Sequence, residues 1–187
     1  MANVVRPHGF VPYRHMLGSQ IQANAYPFTV GSGTAMARGD VVKVLADGTV
    51  ATAAAGDGVA CVGVCAGVIY TDTNNLVHYS DYMPADTTGY TDVTVFVYDD
   101  PYIVFEVSCD STGLAATDVN ATVNHIATAP DATRPLSQQT LDHSVNSTYL
   151  QFLVLGLNPV PNNAWGANAS VLVAFNQHRS KASVVGV

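Results

Sequence analysis

Six histidines, three cysteines and one pair of adjacent aspartates are the residues of this 187-residue chain best suited to holding a metal or moving a proton. His8, His15, His78, His125, His143 and His178 are scattered, with no HxH, HxxxH or HExxH spacing, so no single strand or helix offers two of them to one ion. A cupin-type metal site would need two histidines one residue apart with a carboxylate following, and the chain has none. Cys61 and Cys65 lie in one apolar run. On a single strand their thiols would face the same side with Cα atoms about 13 Å apart, beyond disulfide reach. That spacing reads as core packing, with free buried thiols made in a reducing cytoplasm. Asp142-His143-Ser144 has the letters of a hydrolytic triad, but a relay needs side chains converging from separate elements, and no Gly-x-Ser-x-Gly elbow is present. Asp99-Asp100 offers paired carboxylates or calcium ligands, yet followed by Pro101 between two strands it reads as turn chemistry. Gly31-Ser32-Gly33 and Gly56-Asp57-Gly58 lack the strand-then-helix setting of a phosphate loop. The expectation is therefore no catalytic residue, no cofactor and no metal site. Trp165, with Tyr79, Tyr82 and Tyr90, would suit a sugar-stacking platform; the competing reading is a loop anchor or subunit contact.

The elements that must carry these residues are almost all β. Runs rich in Val, Ile, Tyr, Phe and Thr, punctuated by Gly, Asn, Asp and Pro, predict strands near Tyr26–Val30, Asp40–Leu45, Thr49–Thr52, Val59–Tyr70, Leu76–Ser80, Val93–Tyr98, Tyr102–Ser108, Tyr149–Leu157 and Ser170–Asn176. Asp47-Gly48 marks a tight hairpin. The Asp99-Asp100-Pro101 turn predicts an antiparallel pair on either side of it. One short helix is expected after a cap at Thr117 or Asp118, with Val119, Val123 and Ile126 on one face. This many short strands predicts an all-β, jelly-roll-like sandwich or barrel.

Hydrophobic residues make up 48% and charged residues only 11% of the chain, against about 25% charged in ordinary soluble domains. Two readings follow: a protein standing in a stable assembly, or a secreted or simply low-charge β protein. The charges are segregated. Residues 1–39 carry Arg6, Arg14 and Arg38 with no acid (+3). The span from Asp40 to Asp142 sets all 14 acids against Lys43 and Arg134 (−12). The remainder carries Arg179 and Lys181 (+2), for a net −7. The acidic balance argues against nucleic acid as a partner. No run of about 18 apolar residues predicts a membrane span, and the opening residues do not read as a secretory signal. Residues 1–25 combine helix- and ladder-breaking Pro7, Gly9, Pro12 and Gly18 with apolar Phe10, Val11, Tyr13, Met16 and Leu17. They read as an extended arm that gains burial on another surface, or else folds back over its own sheet edge; the first is the favoured expectation. A body over 26–176 and a tail over 177–187 complete the organisation.

The opening Pro7-His-Gly-Phe-Val-Pro-Tyr-Arg14-His-Met-Leu-Gly18 is followed by Gly39-Asp40-Val-Val, Asp47-Gly-Thr-Val50 and Gly63-Val-Cys-Ala-Gly-Val-Ile-Tyr70. Asp100-Pro-Tyr-Ile-Val-Phe-Glu-Val107 comes next, and a Val-Leu-Val-Ala-Phe-Asn-Gln-His run ends at His178. In this order the chain resembles the cement or decoration proteins of tailed bacteriophages, particularly podophages. The resemblance implies a non-enzymatic virion protein, made in the bacterial host cytoplasm and placed on the outer surface of an icosahedral head. There it would bridge and stabilise neighbouring major capsid protein subunits as a dimer or trimer, without nucleic acid or membrane as partner. It makes Arg6, Phe10, Tyr13, Arg14, Met16 and Leu17 the candidates for shell contact. The alternatives are a carbohydrate-binding head fibre or adhesin using Trp165, and a metal-dependent jelly-roll enzyme.

Overall fold

Short β-branched and aromatic runs pair into sheets throughout residues 3–56, 61–133, 135–145 and 150–182, the part of the chain that this computed structural model describes. The fold is an all-β antiparallel sandwich. One sheet holds β1 (Val11–His15), β10 (Ile103–Ser108), β15 (Ser170–Phe175), β14 (Phe152–Leu157) and β11 (Thr122–Val123), in that spatial order. The other runs β2 (Asn24–Pro27), β9 (Thr91–Tyr98), β6 (Cys61–Thr71), β4 (Val41–Val44) and β5 (Val50–Thr52), with β7 (Val77–Ser80) also on β6. Along one edge of the long β6, β4 pairs with Cys61–Val64 and β7 with Val68–Thr71, while β9 takes the other edge. Two small ribbons join β3 (Met36–Ala37) to β8 (Tyr82–Met83) and β12 (His125–Ile126) to β13 (Thr140–Leu141).

Each of the nine expected strands has a counterpart, although the starts at Val59 and Tyr149 lie outside the described residues. The β4–β5 hairpin closes as the Asp47-Gly48 pair requires. Leu45 and Thr49 are bonded across the turn, Gly48 has φ +84, and the Asp47 carboxylate receives the Thr49 amide and hydroxyl.

β6 explains the layering. Its apolar run is buried over almost its whole length, as expected of a strand covered on both faces. One face supplies Cys61 and Val64 to the core between the sheets, where Phe10, Phe105, Phe152 and Phe175 pack ring against ring. The other face supplies Val62, Cys65 and Val68 to an outer core closed by Phe28, Met36 and Met83. Thus Cys61 and Cys65 face opposite sides, contrary to the simple strand expectation. The β4–β6 register slips between Val42↔Gly63 and Lys43↔Cys61, and a bulge there inverts the alternation. All three cysteines are buried.

Two further expectations are corrected. β9 and β10 do not pair with each other: the Asp99-Asp100-Pro101 corner carries the chain from one sheet to the other. The helix after Asp118 is also absent. Ala116–Asp118 forms a single 3-10 turn, closed by the Asp118 carboxylate on the Ala115 amide. Asn120 then takes φ +69 and stops it. β-Branched Thr122 and Val123 continue instead as β11 against β14.

Candidate functional site

The N-terminal segment, expected as an arm lying on another surface, is fastened to its own body at several points. Asn3 bonds through its side chain to Ala164 and Ala167, and the Ser108 hydroxyl donates to the Arg6 carbonyl. Gly9 has φ +68, and a Cβ there would run into Ser137 and the Gly39 carbonyl. This left-handed glycine drops Phe10 into the inter-sheet core, with its ring stacked 4.6 Å from that of Phe152 and its amide on the Gly39 carbonyl at 2.9 Å. β1 then pairs with β10 as an edge strand. Pro12 is tolerated because the strand has only one partner and its ladder bulges before Arg14. Burying one large aromatic side chain is worth about 1.5–3 kcal/mol, which favours docking on the body over an unattached arm. The described part of the tail behaves alike. His178 is 1% exposed with Nε2 on the Val62 carbonyl at 2.8 Å, and Lys181 reaches the Phe175 carbonyl. Burial pushes the His178 imidazole below its usual pKa.

This arrangement divides the six shell-contact candidates. Phe10, at 1% exposure, is a core residue and has no surface to offer a partner. Met16 is half-buried. Arg6, Tyr13, Arg14 and Leu17 are exposed, Leu17 at 71%. Among the described residues no carboxylate pairs with Arg6 or Arg14. The structure adds Val4, Val5, Val11 and Tyr102 to the exposed apolar set. Tyr102 was hidden from sequence reasoning by its place inside an apolar strand run. Its carbonyl receives the Met16 amide and its ring lies beneath the Lys181 ammonium at 5.6 Å. The two acid-free ends of the chain therefore meet around Tyr102.

Asp99 and Asp100 tie this region to residues distant in sequence. Asp99 accepts from the Asn24 amide and the Tyr26 hydroxyl, fixing β2. Burial, reinforced by this carboxylate, pushes the Tyr26 phenol up to about 12, so it remains a donor. Asp100 accepts from the Tyr102 amide and from His15 Nε2 at 3.0 Å. His15 Nδ1 in turn accepts the Leu17 and Ser19 amides, which defines its tautomer. Burial alone would raise the Asp100 carboxyl, but the Tyr102 amide and His15 hold it below the usual range.

The other candidates do not converge. His8 bonds to Arg6, His78 to Asp72 and His125 to Gln151 and Ala53. His143 Nδ1 lies 2.6 Å from Asp110 and 3.5 Å from Asp142. Among the described residues, these three form the one group whose ligand atoms lie within 4.8 Å of one another. Spacing could not reveal it, because Asp110 comes from a separate segment. Asp110 is already occupied by the Thr112, Gly113 and His143 donors, and the Ser144 amide caps Asp142. Within Asp142-His143-Ser144, His143 pairs with acids and, among the described residues, with no hydroxyl. Trp165 packs half-buried against the inter-sheet core, whereas Tyr90 stacks with Tyr70 at the outer core. Trp165 and Tyr90 thus belong to different cores. No family model, curated protein or solved structure matches this chain.

Proposed function

We propose that this chain is a structural virion protein, a cement or decoration protein that binds the outer surface of a tailed-phage head and bridges its major capsid protein subunits. The reading rests on the sequence resemblance. The observation that supports it best is the exposed set Arg6, Tyr13, Arg14 and Leu17 on and beside the edge strand β1, whose two arginines pair with no carboxylate among the described residues. Such an edge combines aromatic and arginine anchors, the residue types that dominate interface hot spots. Binding only the assembled shell stabilises that shell by mass action, and self-association into a dimer or trimer multiplies the grip through effective concentration.

The test uses heads stripped of this protein and the full chain carrying Tyr13→Ser, Arg14→Glu and Leu17→Asp together. Occupancy is expected to fall at least about tenfold, equivalent to about 1.4 kcal/mol, with an unchanged circular dichroism spectrum. Wild-type occupancy by the variant would remove the edge from the interface. Failure of the wild-type chain to bind any head would remove the decoration reading itself.

A further inference from the structure

The edges of the two sheets are not equally protected. β1 carries Pro12, Arg14 and a bulge, β2 ends at Pro27, and β5 and β11 are only three and two residues long. All of these discourage further pairing. β7 lacks such devices. Its residues, Val77-His78-Tyr79-Ser80, include no proline and no Asp, Glu, Lys or Arg, and its register against β6 is unbroken. Among the described residues, β6 is the only strand paired with β7. The Asp72 amide on the Leu76 carbonyl, at 2.9 Å, sets the alternation of this ladder. Leu76, His78 and Ser80 direct their backbone groups to β6, and Val77 and Tyr79 direct theirs away from it. The same two residues are 59% and 80% exposed. Their side chains share a face with Ile69, where a hollow of about 350 Å3 is lined by Gly67, Ile69, Tyr79 and Phe96.

We infer that β7 pairs antiparallel with β7 of a second copy of this chain, joining two sheets into one. The pairing needs no capsid, so it stands independently of the decoration reading. The edge is complementary to itself. With His78 on the two-fold axis, Val77 lies opposite the partner's Tyr79 and Tyr79 opposite the partner's Val77, and the outward amides and carbonyls of one copy meet those of the other. Val77 and the partner's Tyr79 also form an aromatic–β-branched cross-strand pair, repeated by symmetry. A second copy suits the charge as well. The chain carries −7 overall, yet the ladder brings no acids together, and the flanking ones are already paired, Asp72 with His78 and Asp81 with Arg38. His78 itself is turned to Tyr70, with the rings stacked 5.0 Å apart. Because the two-fold uses up the edge in both copies, association stops at the dimer. The contact is small, at the low end of specific interfaces, so a Kd on the order of 10–100 µM is expected.

The experiment follows sedimentation velocity of the full chain, free of heads, from about 5 to 500 µM, where a monomer–dimer equilibrium is expected. Tyr79→Pro removes an outward amide and leaves the bonds to β6 intact, and Tyr79→Lys places a charge on the edge. Each is expected to weaken the dimer at least about tenfold, with an unchanged circular dichroism spectrum. His78→Cys reads the register. Residues facing each other at the axis lie about 4.5 Å apart at Cα, within disulfide reach, so mild oxidation is expected to link two copies at position 78. The native cysteines are buried, and Ala46→Cys, exposed in the β4–β5 hairpin, is the control expected to stay unlinked. A chain that remains monomeric to about 500 µM would overturn the inference and leave the edge to a strand of another protein. A trimer, a dimer undiminished by both Tyr79 substitutions, or linking as efficient in Ala46→Cys as in His78→Cys would overturn it as well.

Discussion

Asp40 is the residue with the clearest solution signature. Burial raises its carboxyl to about 6, only partly offset by Ser137 and the Ala37 amide. The folded state therefore holds this proton more tightly than the unfolded chain, whose aspartates titrate near about 3.9. Its contribution to stability is greatest below the unfolded value and is lost as pH rises through about 6. Asp40→Asn is expected to be more stable than wild type at pH 7.5, by about 1–2 kcal/mol, with the advantage vanishing near pH 4. Parallel melting curves for the two proteins across that range would refute this. Asp100 has the opposite sign. Its lowered carboxyl contributes stability above the unfolded value that is lost as pH falls through the folded one. Asp100→Ala strips a buried histidine of its acceptor, and we expect a loss of about 1 kcal/mol at neutral pH, shrinking in acid; chemical denaturation at pH 7 and pH 3 measures both values. The turn at Asp99-Asp100-Pro101 was legible in the sequence. The use of its carboxylates was not, because Tyr26 and His15 lie 73 and 85 residues away.

At the scale of elements, β1 shows what local reading misses. Pro7, Gly9 and Pro12 each discourage regular structure, and together they suggested an arm. The fold uses two of them directly: Gly9 for a left-handed step, Pro12 at an edge beside a bulge. Only the distant partners Phe152, Gly39 and β10 turn that punctuation into a strand. Phe10→Ala should cost about 3–5 kcal/mol, read as a drop in the denaturation midpoint. Removing residues 1–18 should yield aggregated or unfolded chain rather than the soluble β domain expected of a free arm, and a cooperative melt from that truncation would contradict this account. The missing helix has the same lesson. The spacing of Val119, Val123 and Ile126 matched a helical face, but Asn120 and the β-branched residues after it favoured the ladder.

For the whole molecule, strand number and turn chemistry were enough to predict an all-β sandwich, because both are local. The second core was hidden, since an apolar run such as β6 cannot state what covers each of its faces. The charge segregation was visible from the start, but its geometry was not. The two basic ends meet around Tyr102 instead of extending as separate arms. If this region grips an acidic shell surface, occupancy should fall as salt rises from about 50 to 500 mM, because exposed charge pairs are screened beyond about 4–14 Å over that range. Salt-independent occupancy would instead assign the grip to Tyr13 and Leu17. The fastening of the N-terminal segment has a mechanical consequence. It is riveted at Asn3, plugged at Phe10 and locked at His15, with an antiparallel ladder between the last two. A pull along β1 would load the β1–β10 and β10–β15 ladders in shear and bear on the Phe10–Phe152 stack. An edge fastened in this way is a seam of the sheet, not a tether hung from it.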